Sequence, residues 1–565
     1  MSDADIKAWL AADPDPVTRA ELARLVEAAE EDPAAAADLA DRFAGTLQFG
    51  TAGLRGSMGA GPNRMNRAVV IRAAKGLIDF LAESLAGQGA PPRVVIGNDA
   101  RHHSRQFAID SAAVVAAAGG EAILLPDPVP TPVLSYAVRA LDADAGVMVT
   151  ASHNPAKDNG YKVYLGGRCV GDPERGAQIV PPYDAQIAAK IAAAPPANEV
   201  ERVESGWRDL GQDFVDGYTS AIAVGDAPAA AIRVVHTAMH GVGSSVALSA
   251  LAQAGFDDVV AVAAQRDPDP DFPTVSFPNP EEPGAIDMAL ALAAEVAADV
   301  VVANDPDADR CAVAVNDPRS GWRMLHGDEL GAVLGEDIAC ELAAGAGEGS
   351  PGVLVNSVVS SRLLSRIAEH HRLPHRTTLT GFKWMGRVPG MAFAYEEAIG
   401  YCVRPDIVHD KDGLSTAVRV ARLVARLKAE GRSVVDLLDD LARRHGLYLT
   451  SQLSARFSDL AQIPATMARL RAQPPQSLAG SPVSELADLG EGWNGLPPTD
   501  GMLLATAADD RVIVRPSGTE PKVKCYLEVV APVSASAGFE DLTAAREQAK
   551  ARLERIKQDL GPVLA

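Results

Sequence analysis

The chain has 565 residues, too many for a single hydrophobic core, so about three or four domains are expected. Hydrophobic residues make up 47% and charged residues 22%, an ordinary balance for a soluble globular protein. The net charge of −22 argues against a nucleic-acid binder, which needs a basic surface, but leaves room for a local Arg/Lys cluster facing an anionic substrate.

In chain order, residues 16 to 45 read as helical and acidic, followed by the loop Phe49-Gly50-Thr51-Ala52-Gly53-Leu54-Arg55-Gly56. From Asn66, apolar residues at Val70, Ala74, Leu77, Ile78, Leu81 and Leu85 repeat at three and four, predicting an amphipathic helix capped by Asn66 and ending near Gly87. Arg93 to Gly97 and Ile123 to Leu125 read as buried strands. Gly146 to Thr150 is a strand that runs into Ala151-Ser152-His153-Asn154-Pro155 and Asp158-Asn159-Gly160-Tyr161-Lys162. Pro195 to Gly206 is rich in Pro, Gly and charge and reads as a linker.

The same grammar recurs. Ala231 to His236 is a strand, then Met239-His240-Gly241-Val242-Gly243-Ser244, then a helix to Ala254; Val300 to Ala303 is a strand entering an acidic loop. Gly352 to Asn356 is a strand before a helix near Ser361 to Glu369, and Leu414 to Leu427 is a further amphipathic helix. Strand–loop–helix alternation of this kind predicts mostly parallel sheets covered by helices.

The C-terminal region differs. Gly501 to Thr506, Arg511 to Val514 and Val523 to Val530 read as short strands, with a turn at Asp509-Asp510. A last helix follows, with Leu542, Ala545, Ala549, Leu553, Ile556 and Leu560 on one face and Gly561-Pro562 beyond its end. Gln473 to Thr499 reads as an irregular insertion. The fold expected is therefore α/β: three related units with mixed, mostly parallel sheets, plus a C-terminal α+β domain with a small antiparallel sheet. The boundaries are 1–205, 206–325, 326–447 and 448–565.

Four loops, and a fifth stretch near one of them, carry chemistry. Ser152 is a hydroxyl at the carboxyl end of a strand, where ligands of α/β folds gather. In Asn304-Asp305-Pro306-Asp307-Ala308-Asp309-Arg310, three carboxylates alternate, and extended backbone would aim them the same way. Converging carboxylates repel unless a cation sits among them, and an all-oxygen set suits Mg²⁺. Arg515-Pro516-Ser517-Gly518-Thr519-Glu520-Pro521-Lys522, with Lys524 beyond, offers a guanidinium, hydroxyls and a glycine for close backbone approach to a phosphate. Tyr395-Glu396-Glu397-Ala398-Ile399-Gly400-Tyr401 offers acceptors for sugar hydroxyls, and Thr380-Gly381-Phe382-Lys383-Trp384-Met385-Gly386 a cation in a glycine-flanked loop.

The five cysteines, Cys169, Cys311, Cys340, Cys402 and Cys525, are scattered with no Cys-x-x-Cys pair. Neither a disulfide framework nor a zinc site is expected, and a reducing cytoplasm is the simplest home. Met1-Ser2-Asp3-Ala4-Asp5 lacks signal-peptide order, and the apolar region Ala285 to Ala303 is broken by Asp287, Glu295 and Asp299, so no membrane span is expected.

Together Thr150 to Pro155, Asp305 to Arg310, Glu397 to Tyr401 and Arg515 to Thr519, in this order, make the chain resemble the α-D-phosphohexomutase superfamily, which includes phosphoglucomutase and phosphomannomutase. The resemblance runs from about residue 49 to 526 and implies four domains around a central cleft. It further implies a phosphorylated Ser152 and one Mg²⁺ held by that group with Asp305, Asp307 and Asp309. Arg55 and Arg310 would sit near the transferring phosphoryl group, with Lys162 or its rival His153 moving the proton. Glu397, Lys383 and Tyr401 would meet the substrate, and Arg515, Ser517, Gly518, Thr519 and Lys524 the distal phosphate. A sugar bisphosphate would serve as activator and intermediate. The partners implied are small sugar phosphates, with no nucleic acid and no membrane, for a monomer or weak homodimer.

One loop departs from the commoner Glu-x-Ser-Gly-His: Ile399 replaces the serine and Tyr401 the histidine. The wording of Glu396 to Tyr401, with Asp158 to Lys162 and Phe49 to Arg55, is similar to a branch that includes phosphopentomutase-type and glucose-1,6-bisphosphate-synthesising members as well as bacterial phosphoglucomutase and phosphomannomutase-like enzymes. The resemblance favours a mutase interconverting hexose 1-phosphate and hexose 6-phosphate (glucose or mannose), as the family majority does, with pentose mutase and glucose-1,6-bisphosphate synthase as alternatives and a sugar-phosphate phosphatase or a non-catalytic sugar-phosphate binder as readings of another class.

Overall fold

The structure is a computed structural model and describes residues 3–345, 352–457, 459, 461–517 and 522–564. Among the described residues, strands form four sheets of seven, five, four and six. The chain divides into two compact units: Met1–Ala314 with Gly400–Arg426, and Val315–Ile399 with Leu427–Ala565.

In the first unit, six strands of the first sheet lie in the order Leu54–Ser57, Asp158–Leu165, Ala145–Val149, Arg93–Asn98, Glu121–Leu124, Arg208–Asp209, and the seventh, Ala177–Gln178, pairs with Asp158–Leu165 off this path. The central three, Ala145–Val149, Arg93–Asn98 and Glu121–Leu124, run parallel, and Asp158–Leu165 returns antiparallel. These parallel strands are buried throughout because helices cover both faces, which is why they read as continuous apolar runs. The helix Arg67–Ser84 starts where Asn66 accepts the Val69 N–H, and its apolar stripe enters this core. The second sheet places Val300–Ala303 between the parallel Val234–Thr237 and the antiparallel Ala312–Asp317. The strand Val300–Ala303 delivers the acidic loop, as Ala145–Val149 delivers the serine loop.

In the second unit, Val353–Ser357 is flanked by His375–Thr378 and Met391–Glu396, all parallel. The C-terminal sheet is antiparallel throughout, in the order Leu447–Arg456, Lys522–Ala531, Arg511–Pro516, Met502–Thr506, Ser481–Asp488, Ser477–Leu478. Mixed sheets followed by this antiparallel one give the α/β and α+β classes expected.

Three segments differ from expectation. Pro195–Gly206 is not a bare linker: Ala197 and Val200 are buried in the first core, and Arg208–Asp209 adds a strand beyond it. Gln473–Thr499 is not irregular, because Ser481–Asp488 pairs with Met502–Thr506; its residues are mostly exposed, so no apolar alternation marked it. The last helix spans Phe539–Leu564 and passes through Pro562; the missing N–H costs one bond in the final turn, while buried Leu560 and Leu564 hold that turn to the core. No helix among the described residues is long and apolar enough to cross a membrane.

Candidate active site

The serine loop is shaped by backbone and by one arginine. Ser152 has φ of 53°, a left-handed conformation, and its N–H donates to Thr150 Oγ1 at 2.9 Å. Arg101 lies beneath. Its Nη2 donates to the carbonyls of Ser152 and Asn154, each at 2.6 Å, and its Nη1 to those of Pro155 at 2.9 Å and Asp158 at 3.2 Å. Asp99 faces the Arg101 Nε at 3.3 Å, and both side chains are fully buried. Arg101 belongs to no motif; the available signal was a charged pair at the carboxyl end of the parallel strand Arg93–Asn98.

The three aspartates converge, though not by extended alternation. The chain turns at Pro306 and Asp307, and Ala308 has φ of 56°. Gly241 cushions this turn: a Cβ there would lie 2.3 Å from Pro306 Cα, so only glycine admits the approach. Asp305, Asp307 and Asp309 are buried, with oxygens within 4.8 Å of one another. Ser152 Oγ donates to Asp305 Oδ2 at 3.0 Å, and the Arg310 N–H to Asp305 Oδ1 at 3.0 Å. Thr131 Oγ1 donates to Asp307 Oδ2 at 2.6 Å. Lys162 Nζ reaches Asp307 Oδ2 at 2.7 Å and Asp309 Oδ2 at 3.0 Å, and Lys411 Nζ lies 3.2 Å from the latter. Asp307 Oδ1 and Asp309 Oδ1 are buried with no hydrogen-bond donor among the described residues.

Burial pushes the Asp305 carboxyl well above the usual carboxylate range, and the charges of Asp307 and Asp309 push the same way. Burial also raises Asp307 and Asp309, but Lys162 outweighs it at the first, and Lys162, Lys411 and Arg310 at the second; both stay below the usual range. Buried, clustered, oxygen-only donors with two undonated oxygens fit a hard divalent cation. Thr131 and Lys411 come from distant stretches of chain and carry no motif.

Around the cluster stand further cations. Arg55 Nη1 donates to Asn154 Oδ1 at 3.4 Å, and Arg310 Nε lies 3.8 Å from Asp309 Oδ1 and 4.0 Å from Asp305 Oδ2. His153 Nδ1 is 3.2 Å from Ser152 Oγ; burial, then Arg310 and Arg55, hold its pKa well below the ordinary value, leaving a neutral imidazole. Burial would lower Lys162, but Asp307 and Asp309 outweigh it and keep the ammonium charged. A lysine acting as base needs the opposite shift.

The second unit holds the other predicted loops. Arg515 Nη1 donates to Thr380 Oγ1, tying the anion loop to the segment bearing Lys383, which lies in the short helix Phe382–Met385. Glu397 is buried and accepts from Ser360 Oγ at 2.9 Å and Ser357 Oγ at 3.2 Å. Burial and Asp328 raise its pKa, while Lys524 is near enough to oppose them. The Ser517 N–H donates to the Lys522 carbonyl at 2.8 Å, closing the hairpin. Gly518 and Thr519 lie outside the described residues. Tyr401, in the first unit, has a fully buried ring on the strand Gly400–Cys402 and packs as a core side chain.

Comparison with known proteins agrees with this geometry. The phosphoglucomutase/phosphomannomutase α/β/α domains I, II and III match residues 46–195, 212–321 and 326–445, and the C-terminal domain of that family matches residues 459–545. A probable phosphomannomutase of Haemophilus influenzae is 45% identical over 467 residues, covering 82% of this chain and 93% of that protein. A mouse phosphopentomutase is 34% identical over 577 residues, covering 94% and 90%. The crystal structure of a putative phosphomannomutase from Thermus thermophilus shares the fold, with a TM-score of 0.66 at 23% identity over 91% of this chain and 99% of that one. The chain belongs to the phosphoglucomutase/phosphomannomutase family of phosphosugar mutases, within the α-D-phosphohexomutase superfamily.

Proposed function

We propose that the chain interconverts hexose 1-phosphate and hexose 6-phosphate, with glucose or mannose as the sugar, through phosphorylated Ser152 and a sugar bisphosphate. The observation that carries the reading is Ser152 Oγ at 3.0 Å from Asp305 Oδ2, inside a buried three-aspartate cluster. Phospho-Ser152 gives its phosphoryl group to the free O6 or O1 of the sugar phosphate, the Oγ–P bond breaking as the new O–P bond forms and the sugar hydroxyl's proton passing to the departing Ser152 Oγ. The bisphosphate turns, and its other phosphate returns to Ser152. Added bisphosphate activates because it primes Ser152.

Asp305, Asp307, Asp309 and the serine phosphate would hold Mg²⁺, which neutralises charge on the transferring group. Arg55 and Arg310 add charge stabilisation at the same point. His153, with Nδ1 3.2 Å from Ser152 Oγ, takes the hydroxyl proton when Ser152 attacks and passes it to the departing sugar oxygen. Lys162, charged between Asp307 and Asp309, acts as a counterion. Arg515, Ser517, Gly518, Thr519 and Lys524 hold the phosphate that is not reacting, and Lys383 and Glu397 read the sugar. Binding energy from that remote group positions the reacting oxygen.

On this reading the chain works in the cytoplasm, as a monomer or weak homodimer, on small anionic sugars; its net charge of −22 disfavours nucleic acid and anionic membrane surfaces. A pentose reading is favoured by one observation, the phosphopentomutase match across 94% of the chain.

The test is Ser152→Ala assayed with Mg²⁺ and sugar bisphosphate. Mutase activity should fall at least ~1000-fold, and intact-mass measurement should find a phosphoryl group on the wild type and none on the variant. An active Ser152→Ala protein would end the phosphoserine route. Release of inorganic phosphate without isomer would make the protein a phosphatase. Catalytic efficiencies on glucose, mannose and ribose 1-phosphates decide the sugar.

A further inference from the structure

Far along the sequence from the aspartate cluster, the second unit gathers a different set of donors. Glu336 and Cys340 lie one turn apart on the helix Gly327–Ala344, hence on one face, and His371 closes the helix Leu363–His371. Cys340 Sγ is 3.8 Å from Glu336 Oε1 and 3.9 Å from His371 Nε2, and His371 Nε2 is 3.0 Å from Glu336 Oε2. All lie within 4.8 Å of one another. We propose that Glu336, Cys340 and His371 form a binding site for a borderline-soft divalent cation of the Zn²⁺ class, separate from the aspartate cluster.

The spacing is that of one face of a coordination tetrahedron. With zinc bonds of ~2.3 Å to sulfur and ~2.0–2.1 Å to nitrogen or oxygen, neighbouring ligands stand about 3.3–3.6 Å apart. The separations from His371 Nε2, 3.9 Å to Cys340 Sγ and 3.0 Å to Glu336 Oε2, need to close or open by only a few tenths of an ångström. A thiolate–imidazole–carboxylate set selects against Mg²⁺, which prefers oxygen alone.

Two neighbours complete the arrangement. Arg444 Nη1 hydrogen-bonds Glu336 Oε1, fixing the carboxylate so that Oε2 is left for an ion. His445 ends the helix Val434–His445, and its Nε2 is buried with no hydrogen-bond partner among the described residues. Its ring lies 5.7 Å from His370, itself 4.9 Å from His371, which makes His445 the candidate for the fourth position. The ion would join the ends of three helices. Cysteine spacing gave no hint of this, because the donors come from separate helices and only one is a cysteine. Binding expels the Cys340 thiol proton, and the thiolate with Glu336 balances the ion's charge.

The test is Co²⁺ titration of the full-length protein with Mg²⁺ in excess. A thiolate-to-cobalt charge-transfer band should saturate at about one equivalent and be bleached by Zn²⁺, since the oxygen-only aspartate cluster cannot produce it. Cys340→Ser, at an exposed position, should abolish the band and leave mutase activity unchanged. His371→Ala should weaken Co²⁺ binding at least about tenfold. Absence of the band from wild type, or its survival in Cys340→Ser, would overturn the site.

Discussion

Arg101 directs both terminal nitrogens at four carbonyl oxygens of the loop that carries Ser152. The Pro155 carbonyl also accepts the Asp158 N–H at 3.0 Å, and the arginine braces the rest of the loop in which Ser152 is left-handed. Replacement by alanine leaves Asp99 buried without its cation, at a cost of about 3–5 kcal/mol. It also frees the nucleophile's backbone, and a displacement of ~1 Å at a reacting group can cost ~100-fold. Arg101→Ala should therefore lower both the urea midpoint and kcat/KM, and slow the labelling of Ser152 by sugar bisphosphate as read by intact mass. Normal labelling at normal stability would remove Arg101 from its positioning role. At this scale the sequence was legible where chemistry is contiguous. Asp305, Asp307 and Asp309 sit in seven residues and Ser152 in a six-residue motif, so spacing alone announces them. Arg101, Thr131 and Lys411 act on the same atoms from 51, 176 and 102 positions away from their partners Ser152, Asp307 and Asp309. No local pattern carries that information.

The helix Gly327–Ala344 shows what an element does for the site. It opens with a capping box in which His326 accepts the Asp328 N–H and Glu329 accepts the His326 N–H. A Cβ on Gly327 would lie 1.8 Å from the Glu397 carbonyl oxygen. The first turn of the helix thus sets the height of the loop proposed to read the sugar. Gly327→Ala should cost about 1–3 kcal/mol through overpacking and lower kcat/KM by roughly 10–100-fold through displacement of Glu397. Phosphorylation of Ser152 by bisphosphate should be less affected than turnover of the sugar monophosphate, which steady-state kinetics beside mass measurement can separate. Elements with strong periodicity or continuous apolar runs were readable: Asn66 caps its helix, and Val300–Ala303 is the strand expected. The strand Ser481–Asp488 was not, because a strand with no buried residue leaves pairing to the backbone. The final helix overran its proline because tertiary burial of Leu564 outweighs one lost hydrogen bond.

Across the whole molecule, two buried histidines far apart in sequence take stability away as the pH falls. Burial lowers His375 and His409 from 6.5 to about 4, with the Arg139 charge adding to the effect at His409. Above pH 6.5 both are neutral whether folded or not, and they add nothing to the pH dependence. As pH falls from 6.5 towards 4, the unfolded chain takes up protons that the folded chain refuses, so stability declines; below about 4 the decline from these two groups stops. Glu528, held low by Arg511 and Arg362 against burial, contributes stability above 4.5 that is lost only as pH falls through its lower folded value. Urea midpoints at about pH 7 and about pH 5 should therefore differ, and His375→Gln should reduce the difference.

The first unit is built from two stretches of chain, and the second of them, Gly400–Arg426, supplies Lys411 and a helix whose Leu414, Ala417, Val418 and Ala421 are buried. On a ribosome, the aspartate cluster emerges long before the lysine that helps balance its charge. At ~5–20 residues per second the nascent chain waits roughly 5–20 s between Ala314 and Arg426. During that wait it carries an apolar groove with no helix in it and buried acids short of a counterion. A transcript broken in that interval would yield a chaperone client rather than a smaller enzyme, although it would encode Ser152 and every carboxylate proposed to bind the metal.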